Sequence, residues 1–280
     1  MLGKMIKHEF KATGRLYLPL YALVLVLTPL LALLFKAASS IGDNSMVGGL
    51  LAGISMFGYV ILMIALCIGT FLFLVMRFYR TVATSEAYLT FCLPVSRNHI
   101  LGSKVLVGVI WQVISYVVAI LSVYGMLIIQ GAIRPGDILD KIRKYMPLIS
   151  QKIGVDSVFV LLLYIGLIVL ITTISGLLSF YLAICLGQLF NEHRVIASIG
   201  MYVAIYTVTQ IITMVIFMPM ILEEYKPAIV GQVKVVDAET AIAQMPSVKV
   251  FVTMGIIQLC LAVVYYIASS IILKKKTNVR

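Results

Sequence analysis

Residues 16–35 read LYLPLYALVLVLTPLLALLF and contain no Asp, Glu, Lys or Arg. A helix needs roughly 20 residues to cross the hydrocarbon core of a bilayer, and this run has that length. Because unsatisfied backbone groups are costly in lipid, such a run predicts a transmembrane α-helix. Strands of a membrane β-barrel are about half as long and alternate polar with apolar residues, and this run does not alternate.

Five further runs have the same character: 47–76, 105–130, 157–191, 195–222 and 250–273. The composition agrees with them, because 62% of the 280 residues are hydrophobic and only 12% are charged. Soluble domains are about half apolar and a quarter charged. The sequence therefore predicts an all-α integral membrane protein with six transmembrane helices.

Charged residues divide the connecting segments between two sides of the membrane. The N-terminal segment, the connection 77–104, the short connection after residue 191 and the tail carry thirteen Lys or Arg and three acids. The remaining connections carry nine Lys or Arg and eight acids. Because Lys and Arg are enriched in cytoplasmic loops, both termini and 77–104 are predicted to be cytoplasmic. The connections 131–156 and 219–249 are then outer loops.

Residues 1–15 predict an amphipathic elbow helix ahead of a six-helix domain, 16–280. One arc of the helical projection holds Lys4, Lys7, His8, Lys11 and Arg15, and apolar residues lie opposite. Such a helix lies at the membrane interface with its basic side towards lipid headgroups. Glu9 projects onto the apolar side, so we expect it to reach the rim or to pair with a nearby Lys or Arg, with a special role as the alternative.

The outer loop 131–156 carries a second amphipathic pattern. Apolar residues at helical spacing alternate with basic ones: Ile138, Ile142, Tyr145 or Met146, Ile149 and Ile153, with Lys141, Arg143, Lys144 and Lys152 between them. The pattern predicts a helix, interrupted near Pro147, that rests on the outer leaflet or on a partner; a solvated structural cap is the alternative. The loop 219–249 contains three prolines and predicts a broken, partly re-entrant segment or an outer loop.

Several kinds of chemistry lack the residues they need in this sequence. No GxxxxGK[ST] motif occurs, so the chain has no P-loop for nucleotide phosphates. The six runs contain no acid or base at depth, which disfavours proton-coupled transport and intramembrane hydrolysis. The four Cys are scattered singly, without His at ligand spacing. We therefore predict no enzyme activity, metal site or cofactor in this chain, and no nucleic-acid partner.

The fifth run carries a polar stripe along one helical face. Its members are Tyr202, Tyr206, Thr209 and Thr213, with Gln210 beside them. Interhelical hydrogen bonds and close packing explain such a stripe. The alternative is a weakly polar surface that lines a translocation path.

The cytoplasmic connection contains a short helical pattern with an exposed apolar cluster. Ser85 followed by Glu86 is typical of a helix start, because a hydroxyl caps the first turn and an acid suits the helix dipole. The helix then carries Tyr88, Leu89 and Phe91 until Leu93 and Pro94 end it. An apolar cluster on a short cytoplasmic helix indicates a docking surface, and a helix lying flat beneath the bundle is the alternative.

Two segments resemble ABC-2 type permeases, the membrane-spanning subunits of ABC transporters. Residues 85–104, SEAYLTFCLPVSRNHILGSK, are similar to the family's cytoplasmic connection, and residues 5–15, MIKHEFKATGR, to its amphipathic elbow helix. The resemblance implies that 86–95 is a coupling helix seated in a nucleotide-binding subunit. The coupling residues would be Glu86, Tyr88, Leu89, Phe91, Leu93, Pro94 and Val95, with Glu192 in a second contact at 188–196.

The resemblance also implies partners and a function. ATP and Mg²⁺ would be bound by a separate P-loop ATPase subunit, and a second permease chain would complete a homodimer or heterodimer. The expected function is ATP-driven export of an amphipathic peptide, antibiotic or lipid from a bacterial plasma membrane, as in antimicrobial peptide resistance. The outer loop 131–156 is longer and more basic than a minimal family loop. The alternative is therefore a non-transporting sensor or peptide-immunity protein that uses the basic outer helix.

Overall fold

The computed structural model describes residues 2–41, 45–83, 96–153, 157–190, 194–229 and 247–275. These residues form seven α-helices and no β-strand: α1 Leu2–Ile41, α2 Met46–Ala83, α3 Arg97–Gln130, α4 Asp137–Ile153, α5 Val158–Gly187, α6 Arg194–Ile229 and α7 Val248–Lys275. All helices except α4 are long and apolar enough to cross a membrane. The predicted fold of six apolar membrane-spanning helices is confirmed at this level.

The helices extend well past the charge-free runs that predicted them. α1 has 40 residues and α2 has 38, and at 1.5 Å per residue each is nearly twice as long as the roughly 30 Å hydrocarbon core. The predicted helix 1–15 is the first part of α1, with no break before the apolar run. Its basic residues Lys4, Lys7, His8, Lys11 and Arg15 are all exposed.

The chain divides into two compact units, the first of which spans Met1–Ile138. In this unit α1 packs against both α2 and α3, and these two helices also touch each other. Its core is built from large side chains with almost no exposure, among them Tyr17, Val24, Leu66, Phe78 and Trp111. α1 is therefore the central helix of the first unit.

The second unit spans Leu139–Arg280 and is organised around α5. α5 packs against both α6 and α7, whereas α6 and α7 barely touch. Its core includes Leu177, Tyr181 and Cys185. α6 and α5 cross very closely: a Cβ built on Gly187 would lie only 2.7 Å from the Ser198 backbone.

α4 is the predicted amphipathic helix, but it runs through Pro147 without interruption. The predicted break was wrong because a proline ring removes one backbone hydrogen bond, to the carbonyl four residues earlier. That carbonyl belongs to Arg143, and both Pro147 and Arg143 lie on the exposed side of α4 where water can reach. The opposite side is buried, since Met146 and Ile149 pack against Leu161 at the start of α5.

The loop predicted at 219–249 is shorter in the structure. α6 continues through Pro219 and Pro227 to Ile229, so the first part of the predicted loop is helical. Residues 230–246 lie outside the described residues.

Candidate functional site

Three charged side chains from three helices meet in the first unit. The carboxylate of Glu9 on α1 lies 2.7 Å from the guanidinium of Arg77 on α2 and 2.6 Å from the ammonium of Lys104 on α3. Arg77 also donates a hydrogen bond of 2.8 Å from Nε to Glu9. We call this cluster of Glu9, Arg77 and Lys104 the ion triad. Glu9 is paired with basic residues, as predicted, although Arg77 and Lys104 lie far from it in the sequence.

The ion triad is partly withdrawn from water. The side chain of Lys104 is only 6% exposed, that of Glu9 18% and that of Arg77 28%. Glu9 lies in the charged section of α1 ahead of its apolar run. Burial raises the pKa of a carboxyl, but the Lys104 ammonium and the Arg77 guanidinium together outweigh it and hold the pKa of Glu9 below its ordinary value. The triad is therefore ionised and links α1, α2 and α3 by charge-assisted hydrogen bonds.

The two basic members of the triad bracket the predicted coupling segment. Arg77 lies on the last turns of α2 and Lys104 on the first turns of α3, and the chain between these helices contains 86–95. Both helices that lead into and out of this segment are thus bound to one carboxylate on α1. The predicted coupling residues themselves lie outside the described residues: Glu86, Tyr88, Leu89, Phe91, Leu93, Pro94, Val95 and Glu192.

About two turns beyond Lys104 on α3, Trp111 joins α3 to α1. Its indole stacks on Phe10 at 4.7 Å between ring centroids and on Tyr17 at 4.8 Å. Phe10 and Tyr17 stand two turns apart on α1, about 10 Å, so the indole is held between their rings. Its Nε1 donates a 2.8 Å hydrogen bond to Thr13. Gly14 lies beside the indole, and a Cβ built on it would be 3.4 Å from the ring.

Hydroxyl groups continue the contact between α1 and α3. The Tyr21 hydroxyl lies 2.7 Å from Ser115, and Thr28 lies 2.6 Å from Ser122. On the other side of α1, Tyr17 donates to the carbonyl of Thr70 on α2 at 2.8 Å. The ion triad, the Trp111 stack and these hydrogen bonds together form a polar and aromatic seam, which joins α1 to α3 from Glu9 to Thr28.

Sequence reasoning missed this seam, although its signal was present. Phe10, Thr13, Gly14, Tyr17 and Tyr21 recur at spacings of three and four residues, which is the period of one helical face. The face was not recognised because it mixes aromatic, small and hydroxyl residues rather than aliphatic ones. In a membrane helix such a mixture marks the side that faces other helices.

The predicted stripe on α6 divides into two kinds of contact. Tyr202 stacks on Phe180 of α5 at 3.8 Å, and Thr209 lies 2.5 Å from the Tyr265 hydroxyl of α7. These two residues pack against neighbouring helices.

The other three residues of the stripe are exposed or half-buried. Tyr206 is exposed and accepts a 2.7 Å hydrogen bond from Gln210, which is also exposed. The ring centroid of Tyr206 lies 6.1 Å from that of Tyr202, and Thr213 is half-buried. Within the second unit, Tyr202 and Thr209 therefore serve helix packing, and the translocation surface stays a prediction.

Comparisons of the chain with protein-family models, with curated proteins and with solved structures find no match.

Proposed function

We propose that this chain is the membrane-spanning permease subunit of an ATP-driven exporter of the ABC-2 type. It would work in a bacterial plasma membrane with both termini in the cytoplasm, and its substrate would be an amphipathic peptide, antibiotic or lipid. A separate P-loop subunit would bind ATP and Mg²⁺, and a second permease chain, identical or different, would complete the transporter. The proposal draws on the resemblance of 85–104 and 5–15 and on the position of the ion triad.

The ion triad is the observation that carries the proposal. A permease must transmit force from its ATPase to the membrane helices, and the predicted docking segment lies between α2 and α3. Arg77 and Lys104 bind both of these helices to Glu9, so a push on the segment is passed to α1 at once. Breaking a buried ion pair is strongly unfavourable, because it leaves an uncompensated charge. We therefore expect both ion pairs to stay intact when force passes from the docking segment to α1.

The Trp111 stack extends this path into the membrane. Rings and hydrogen bonds join α1 and α3 at intervals from Glu9 to Thr28. Packed interiors of this kind transmit displacement rather than absorb it. Movement of the docking segment would thus tilt α1 and α3 together as one body.

The decisive experiment isolates the full-length protein from its native membrane in mild detergent. Associated proteins are identified by mass spectrometry, and ATP hydrolysis by the eluate is measured. We expect a stoichiometric P-loop ATPase that is lost when Leu93 and Pro94 are both replaced by Gly, or in Glu86→Lys. Lys36→Glu, a charge reversal at an exposed residue of α1 far along the chain from this segment, serves as the control. A chain that inserts normally but brings no ATPase contradicts the proposal.

The exposed basic side of α4 favours a second function. Lys141, Arg143 and Lys144 are all exposed on the helix between the spans α3 and α5. A sensor or peptide-immunity protein would use such a surface to bind acidic partners or to repel cationic peptides. This function requires no ATPase, so the isolation experiment separates the two.

A further inference from the structure

An apolar groove runs along the second unit between α5 and α7. Its volume is about 220 Å³, and its walls include Tyr164, Ile168 and Ile171 from α5 and Gly255 and Leu259 from α7. From Tyr164 to Ile171 the groove follows α5 for about 10 Å. Both helices are long and apolar enough to span a membrane. The groove is therefore shaped and lined to take a hydrocarbon chain.

One end of the groove meets α4. Tyr164 lines the groove and also packs against the cluster in which Met146 and Ile149 of α4 contact Leu161. Tyr164 therefore joins the wall of the groove to the side chains that hold α4 against α5.

α4 brings positive charge to the same end. The acids of this helix, Asp137 and Asp140, stand in its first turn, and the charged side chains that follow, Lys141, Arg143 and Lys144, are basic and exposed. The ammonium of Lys144 lies 5.7 Å from the ring centroid of Tyr145, which packs on the cluster that includes Tyr164. Basic residues on an amphipathic helix attract anionic lipid headgroups.

We propose that an anionic glycerophospholipid binds to the second unit, with an acyl chain in the groove between α5 and α7. Its headgroup lies at the basic residues of α4. The site places positive charge at one end and an apolar groove beyond it, and an anionic phospholipid has the same order of charged headgroup and acyl chain. The site does not depend on the proposed transport function or on which leaflet contains α4.

Native mass spectrometry of the purified full-length protein tests the proposal, with phosphatidylglycerol and phosphatidylcholine of identical acyl chains in competition. We expect phosphatidylglycerol to be retained more strongly. The triple variant Lys141→Gln, Arg143→Gln, Lys144→Gln should lose about fivefold in affinity for each charge removed and bind both lipids alike. Equal retention of the two lipids by the unaltered protein would overturn the role of α4.

Two glycines give a matched test of the groove. A Cβ built on Gly255 or on Gly166 meets no atom within 4 Å, so both helices accept a larger side chain. Gly255→Leu fills the groove and should reduce retention of both lipids several-fold. Gly166→Leu makes the same change on an exposed part of α5 and should leave retention unaltered.

The remaining outcomes also decide the matter. If Gly255→Leu retains phosphatidylglycerol as well as Gly166→Leu does, the groove is not the lipid site. If Gly255→Leu instead separates a dimer while lipid retention is unchanged, the groove binds a second copy of the chain and the proposal is wrong. Should Gly255→Leu fail to fold, the triple variant decides.

Discussion

Glu9 is the residue on which the packing of the first unit depends most directly. Its carboxylate balances two cations, and one of them, Lys104, has a side chain only 6% exposed. A lysine so deeply buried is stable as an ammonium ion only beside negative charge or strong acceptors. The carboxylate itself could be replaced by an amide of the same shape, so its charge can be tested apart from its size.

Glu9→Gln should lower the free energy of unfolding by about 3 kcal/mol, because it removes the negative charge beside a buried ammonium. Unfolding in detergent, followed by circular dichroism against heat or denaturant, measures the change. Lys36→Gln on the same helix is the control, since Lys36 is exposed. The double variant Glu9→Gln, Lys104→Met should recover part of the loss. A double variant less stable than Glu9→Gln alone would show that the triad does not act through charge.

Gly14 offers a separate test of the Trp111 stack. A Cβ at this position lies 3.4 Å from the indole, which is ordinary contact, so Gly14→Ala should change stability by less than about 1 kcal/mol. Gly14→Leu should cost about 1–3 kcal/mol by overpacking. Trp111 is the single tryptophan of the chain, so its fluorescence emission reports the displacement directly. Emission in Gly14→Leu unchanged from that of Gly14→Ala would contradict the stacked geometry.

At the scale of elements, α5 and α6 approach each other closely at Gly187. The Cβ of an alanine there would clash with the Ser198 hydroxyl oxygen and would lie 2.7 Å from backbone atoms of the same residue. A hydroxyl can rotate away, but the backbone of a helix cannot. Glycine is therefore required where these two helices meet, and its absence would force them apart.

Gly187→Ala should lower the free energy of unfolding by about 1–3 kcal/mol, because the helices must separate to admit the methyl group. Gly166→Ala is the matched control on the same helix, since its Cβ meets open space. It should be neutral or slightly stabilising, as alanine favours helix over glycine. Thermal unfolding of the two variants side by side measures the difference. Equal stability of the two would mean that the helices are not in backbone contact there.

The elements could be predicted from the sequence, but their ends and partners could not. Six charge-free runs suffice to predict six spans, because lipid imposes a single requirement on all of them. Composition places the end of the second run at residue 76, yet α2 continues through Arg77 to Ala83. In this extension Arg77 pairs with Glu9, a residue 68 positions away in sequence. No local pattern contains that information.

The same limit applies to the predicted site. The expectation that Glu9 is paired followed from the cost of a lone carboxylate on an apolar face, and the pairs exist. That the partners would be Arg77 and Lys104 depends on how three helices pack, which periodicity does not reveal. Pro147 shows the converse, because a helix breaker in the sequence is tolerated where the freed carbonyl meets water.

At the scale of the whole molecule, the distribution of charge predicts the topology. Lys4 and Lys141 belong to opposite sets of connections, so the two should lie on opposite sides of the membrane. In a variant lacking the four native Cys, Lys141→Cys should react with an impermeant maleimide in intact cells, whereas Lys4→Cys should react only after permeabilisation. Three spans separate the two residues. Labelling of both residues from outside would contradict this odd number of crossings, and labelling of Lys4→Cys alone would invert the topology.

The sequence order of the ion triad has a consequence for synthesis on the ribosome. Glu9 is synthesised 95 residues before Lys104, so its carboxylate does not have this partner until α3 is inserted. The whole of the first unit has been synthesised by residue 138, while the second half of the chain is still being made. Because domains generally fold as units in the order of their synthesis, a ribosome paused shortly before Lys104 would leave α1 packed on α2 alone, with Glu9 paired to Arg77 but not to Lys104.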